Sequence, residues 1–174
     1  MIEVEMKVEA PHTEVEERLE QVGAERHGEK VQHDVYYSAP HRDFEETDEA
    51  LRTRAEDGDV YVTYKGPKLD RETKSRREID LSVGNLEVAD ELLKALGFEE
   101  FGRVRKHRTK YVYGDYVVVL DDVEGLGEYV EVETVVEEDE FEEARDGAVE
   151  MLRRLQLDPA DGVRESYLQL LHGG

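Results

Sequence analysis

Two short segments of this chain carry carboxylates at the spacing of a strand face. Near the start, Glu3-Val4-Glu5-Met6-Lys7 alternates charged and apolar residues. Alternation puts Glu3, Glu5 and the Lys7 ammonium on one face, with the carboxylates about 7 Å apart along the strand. Such a pair suits a hard divalent cation, Mg2+ or Mn2+, which takes oxygen ligands. The adjacent lysine can then meet a phosphate bound to that metal. Glu131-Val132-Glu133 repeats the pattern late in the chain and would complete an all-oxygen site. Asp121, closing the apolar run Val117-Val118-Val119-Leu120, is a further candidate ligand or base. Each pair alone also fits a solvated strand face in an acidic chain.

The cations show matching periodicity. Arg52 and Arg54, Lys106 and Arg108, and the mixed ladder Arg76, Glu78, Asp80 all sit two residues apart, and Lys65 shares a face with Tyr61 and Thr63. Such rows would line a cavity with positive charge at about 7 Å intervals, which suits a polyphosphate better than a single phosphate. The alternative is cross-strand pairing with the acids, worth little per pair when exposed. The six histidines show no metal-ligand spacing, and no P-loop glycine pattern is present.

These residues need strands to position them. Period-two alternation predicts strands at 2–9, 32–38, 51–56, 59–65, 74–82, 103–112, 114–122 and 128–136. Turn signals at Glu56-Asp57-Gly58-Asp59, Tyr113-Gly114-Asp115 and Glu124-Gly125-Leu126-Gly127 separate several of them. Helical spacing predicts helices at 12–22, 86–96, 139–155 and 163–171. Thr13 and Asn85 are candidate N-caps, and Gly23 and Gly97 candidate stops. Segments 38–50 and 66–73 read as mobile loops. Eight strands with short connections suggest an antiparallel sheet that curls or closes. If the apolar faces pack under the helices, the charged faces meet inside and the lumen is polar.

The chain has 174 residues, 45 acids and 23 bases, for a formal net charge of -22. That length suits one domain, residues 1–174. The charge argues against general nucleic-acid binding and against docking on an anionic membrane. No run of 18 apolar residues or signal-peptide pattern is present. With no cysteine there is neither a disulfide nor a thiolate site. A cytoplasmic protein is the simplest expectation. The scarcity of lysine, 8 against 15 arginines, and the acid excess point to a halophilic, salt-adapted surface. Against that background, 13 of the 23 bases fall within residues 51–80 and 101–110, as an anion site would need.

In order, Glu3-x-Glu5-x-Lys7, Asp34-Val35-Tyr36-Tyr37, Leu51-Arg52-Thr53-Arg54, Thr63-Tyr64-Lys65-Gly66-Pro67, Arg76-x-Glu78, Lys106-x-Arg108, Leu120-Asp121 and Tyr129-x-Glu131-x-Glu133 resemble the CYTH superfamily, the triphosphate tunnel metalloenzymes. The resemblance spans nearly the whole chain. It implies an α+β fold: an eight-stranded antiparallel barrel forming a tunnel, with flanking helices. It implies that Glu3, Glu5, Glu131 and Glu133 hold Mg2+ or Mn2+ with Asp121 nearby. It implies that Lys7, Arg52, Arg54, Lys65, Arg76, Lys106 and Arg108 bind the phosphates, with Lys7 and Asp121 catalytic and Glu78 a ligand or orienter. The activity it most suggests is a class IV adenylyl cyclase, converting ATP to cyclic AMP and pyrophosphate. The rivals are a triphosphatase acting on thiamine, inorganic or nucleoside triphosphate, a non-catalytic nucleotide or polyphosphate binder, and a purely structural acidic domain. Either a monomer or a homodimer fits.

Overall fold

The computed structural model describes residues 1–71 and 73–173. Residue 72 of the expected loop 66–73 lies outside them. Eight strands form one closed antiparallel barrel: β1 (Ile2–Glu9), β2 (Glu25–Ser38), β3 (Ala50–Glu56), β4 (Asp59–Lys68), β5 (Arg76–Val83), β6 (Glu99–Tyr113), β7 (Tyr116–Val123) and β8 (Gly127–Val136). Around the wall the order is β1-β5-β4-β3-β2-β6-β7-β8. Four helices flank it: α1 (His12–Val22), α2 (Leu86–Ala95), α3 (Phe141–Arg154) and α4 (Tyr167–Gly173).

Alternation decides what faces where. On β1, Val4, Met6 and Val8 point outward into a cluster with Val118, Leu120, Val130 and Val132 of the neighbouring strands. The cluster is covered by Val15 and Leu19 of α1 and by Ala144, Ala148, Met151 and Leu152 of α3. Burying each large side chain there stabilises the fold by about 1.5–3 kcal/mol. Leu93 of α2 packs on a smaller cluster with Tyr37, Phe44 and Leu51. The charged faces turn into the barrel.

The turns follow local chemistry. Asp57 and Gly58 both take positive φ, 48° and 89°, as a two-residue hairpin requires. Asn85 caps α2 by accepting from the Val88 amide, and Gly23 ends α1 in the left-handed conformation. Pro11, not Thr13, occupies the cap position of α1 and offers no side-chain acceptor.

Four elements differ most from the sequence expectation. β2 and β6 run longer, pairing from Glu25↔Val112 to Ser38↔Glu99. Their extra residues are mostly polar and exposed, so no apolar alternation marks them. β4 continues through Lys68. The last helix begins at Tyr167 rather than 163. There, the Val163 amide donates to the Lys7 carbonyl, and the Lys7 ammonium to the Glu165 carbonyl, so residues 163–165 are held against β1.

One end of the lumen is plugged. Tyr167 and Leu168 of α4 pack against Val104, Val123 and Tyr129. Gly102 allows this approach: a Cβ there would lie 2.5 Å from Leu168 Cδ1.

Candidate active site in the barrel lumen

The remaining lumen is a cavity of about 760 Å³. Its walls include Glu3, Glu5, Glu131 and Glu133 on the acidic side and Arg52, Arg54, Lys65, Arg76, Lys106 and Arg108 on the basic side. Glu78 lies on the same wall. All eleven of these acidic and basic residues were expected to form a site, and the barrel brings them together.

Glu3, Glu5 and Glu133 each offer a carboxylate oxygen, and the three lie within 4.8 Å of one another. Glu5 and Glu133 are direct cross-strand partners, an arrangement that is destabilising for two like charges. Burial pushes the Glu133 carboxyl up to about 8; Arg108 opposes the rise, and the charges of Glu3, Glu131 and Glu5 add to it. Three hard-oxygen donors that repel one another in this way fit a divalent cation such as Mg2+ or Mn2+. Lysines partly offset the repulsion: Lys74 Nζ lies 2.7 Å from Glu5, and Lys65 Nζ 3.1 Å from Glu3 and 2.9 Å from Glu78.

The arginines are held rigidly. Arg54 donates twice to Asp34, both bonds 2.7 Å, and Arg52 lies 3.6 Å from the same carboxylate. Burial would raise the Asp34 carboxyl, but Arg54 and Arg52 overrule it and hold it well below the usual range. Arg108 forks onto Asp121 at 2.7 and 2.6 Å and reaches Glu131 at 2.7 Å. Arg76 donates to the Gly66 carbonyl at 3.2 Å. The Arg52 Nε is buried without a hydrogen-bond acceptor among the described residues. Burial, with Arg108 adding, pushes the Lys106 ammonium down to about 8.

Two expected catalytic residues lie behind the cavity wall. Lys7 is 1% exposed; its ammonium turns to the Glu165 carbonyl and sits 4.1 Å over the Tyr167 ring. Burial, then the Lys74 charge, push it down to about 6. Asp121 is fully buried, and its oxygens are taken by Arg108, Lys106 and the Tyr167 hydroxyl. It is therefore placed to position cations. Glu131 lines the cavity, but Arg108 occupies one of its oxygens, so three of the five expected ligands converge.

Lys74 was not among the expected site residues, although it shares the alternation of Arg76 and Glu78. Asp34 was not among them either: its motif is visible, but its arginine partners lie on another strand. His172, set aside for want of metal-ligand spacing, lines the cavity with Phe101.

The family model described as the CYTH domain matches residues 1–167. The chain belongs to the CYTH family. A Methanocaldococcus jannaschii protein described as a candidate adenylate cyclase is 41% identical to this CYTH chain over 172 residues, covering 98% of each. The PH1819 protein of Pyrococcus horikoshii superposes with a TM-score of 0.89 at 41% identity, covering 98% of each chain. A Hippeastrum protein, described as a candidate adenylyl cyclase with a dominant triphosphatase activity, shares the fold at a TM-score of 0.67 and 15% identity. That match covers 99% of this chain and 95% of the other. CYTH triphosphate tunnel enzymes are metal-dependent, and the carboxylate cluster fits that requirement. No helix among the described residues is long and apolar enough to cross a membrane.

Proposed function

We propose that this CYTH protein is a metal-dependent enzyme acting on a triphosphate, with cyclisation of ATP to cyclic AMP and pyrophosphate as its primary activity. The observation carrying this reading is a three-carboxylate cluster facing rows of arginine and lysine across one cavity. A triphosphate carries several negative charges, and burying it requires paired cations.

Glu3, Glu5 and Glu133 hold Mg2+ or Mn2+ in this reading. The bound ion supplies charge neutralisation on the phosphate oxygens. Arg52, Arg54, Lys65, Arg76, Lys106 and Arg108 bind the chain of phosphates, and their donors are aimed before substrate arrives. Asp34, Asp121 and Glu131 keep the guanidinium groups in place, which limits reorganisation during reaction. Glu78 orients Lys65. In cyclisation the ribose 3′ oxygen bonds to the α-phosphorus as the bond to pyrophosphate breaks. Catalysis of this type is mainly positioning and electrostatics.

The second reading is hydrolysis, with water attacking the terminal phosphorus of a nucleoside, thiamine or inorganic triphosphate. The description of the Hippeastrum protein favours keeping it. A binder without turnover is the third.

Purified protein in molar KCl with Mg2+ or Mn2+, offered ATP, thiamine triphosphate and tripolyphosphate, separates these. Cyclic AMP is the expected product; orthophosphate without cyclic AMP overturns cyclisation in favour of hydrolysis. Glu5→Gln is expected to lower metal-dependent turnover about 100-fold or more while leaving the circular dichroism spectrum unchanged. Wild-type turnover in that variant removes Glu5 from the metal site.

A further inference from the structure

Beside α4 the cavity wall changes from charged to aromatic. The β2–β6 ladder slips there: Tyr36 pairs with Gly102, whereas Tyr37 pairs with Glu100. Phe101 is the extra residue of this irregularity. Bulges re-aim a side chain that regular alternation would send elsewhere, and Phe101 lines the cavity. The residue is 50% exposed although it is large and apolar. Tyr36 stands edge-on to it at 6.4 Å and His172 at 6.5 Å.

The third ring depends on Gly102. A Cβ there would lie 3.3 Å from His172 Cε1 as well as against Leu168. The glycine lets α4 bring His172 to the cavity wall beside Phe101. The aromatic patch is also continuous with the phosphate-binding wall. Tyr36 and Arg52 are cross-strand partners, and both line the cavity.

We infer that Phe101, flanked by Tyr36 and His172, forms a stacking subsite for a flat heteroaromatic ring carried on the triphosphate. The site is therefore built for an organic triphosphate and not for the inorganic one. This rests on the tunnel being a triphosphate site. Aromatic faces of this kind hold bases sequence-tolerantly by stacking. A tripolyphosphate has nothing to put there, and a half-exposed phenylalanine beside a cationic wall has no structural need to face the cavity. Phe101 is exposed enough that its replacement leaves the packed clusters intact.

The test is equilibrium binding by calorimetry with Ca2+ as the divalent ion, scoring only unconverted ligand. ATP, thiamine triphosphate and inorganic tripolyphosphate are titrated into wild type, Phe101→Ala and Phe101→Tyr. Phe101→Ala is expected to weaken at least one ring-bearing ligand about 5- to 100-fold and to leave tripolyphosphate within about twofold. Phe101→Tyr restores the affinity. Loss for ATP alone identifies a nucleobase, and loss for thiamine triphosphate alone identifies the thiamine rings. Equal weakening of all three ligands, or no weakening of any, overturns the subsite while leaving the tunnel reading intact. If wild type binds none of the three ligands, both readings fall together.

Discussion

Asp34 shows how a single acid can set the geometry of a cationic wall. It is 2% exposed and meets both Arg52 and Arg54. Removing one partner of a buried charge network costs about 3–5 kcal/mol. Asp34→Ala is therefore expected to lower the unfolding free energy measured in urea by an amount of that order, and a change within about 0.5 kcal/mol contradicts it. The pH dependence has a definite sign. The folded carboxyl titrates below its ordinary value of 3.8. The stability it contributes is complete above about pH 4 and is lost as the pH falls through the folded value. Unfolding of Asp34→Asn should thus depend less on pH below about 4 than wild type. At this scale the sequence was informative wherever alternation held. Glu3, Glu5 and Glu133 meet because period two put them inside. Phe101 and His172 were hidden because one sits in a ladder irregularity and the other reaches the cavity only through the docking of α4.

Elements were legible where a helix or strand carried its own apolar pattern. α1, α2 and β1 follow the expected ranges closely for that reason, whereas the outer parts of β2 and β6 are specified by each other. Gly147 in α3 shows a related conflict. Alanine is about 1 kcal/mol better than glycine in a helix interior, so propensity alone favours Gly147→Ala. In the fold, a Cβ at Gly147 would overlap the phenol of Tyr116, whose hydroxyl donates to the Ala144 carbonyl at 3.1 Å. Gly147→Ala is expected to destabilise by about 1–3 kcal/mol in thermal or urea unfolding. Adding Tyr116→Phe should recover part of the loss. A more stable Gly147→Ala protein would show that α3 shifts freely.

At the scale of the whole molecule, the charge of -22 and the polyanion site coexist because opposite signs are segregated. Arg52, Arg54, Lys65, Lys74, Arg76, Lys106 and Arg108 line the lumen, while acids crowd the exposed helices, as in the first turn of α3. Repulsion among surface acids is screened as the Debye length shrinks from about 10 Å at 0.1 M salt to about 3 Å at 1 M. The lumen pairs are shielded from that change by burial. The thermal midpoint is therefore expected to rise between about 0.1 and 1 M KCl. A flat or falling midpoint contradicts a salt-adapted surface.

The barrel is not equally closed on all sides. β1 meets β5 through only two register pairs, Ile2↔Arg77 and Glu3↔Arg76, whereas it meets β8 along its whole length. Beyond those rungs the gap is spanned by Lys65 on Glu3, by Lys74 on Glu5, and by the Lys74 amide donating to the Glu5 carbonyl. The hoop thus has a clasp, and the clasp is made largely of the side chains that face the cavity. Anything that draws those lysines toward an anion also loosens the clasp, so what the tunnel holds and how tightly the barrel shuts are one coupled property.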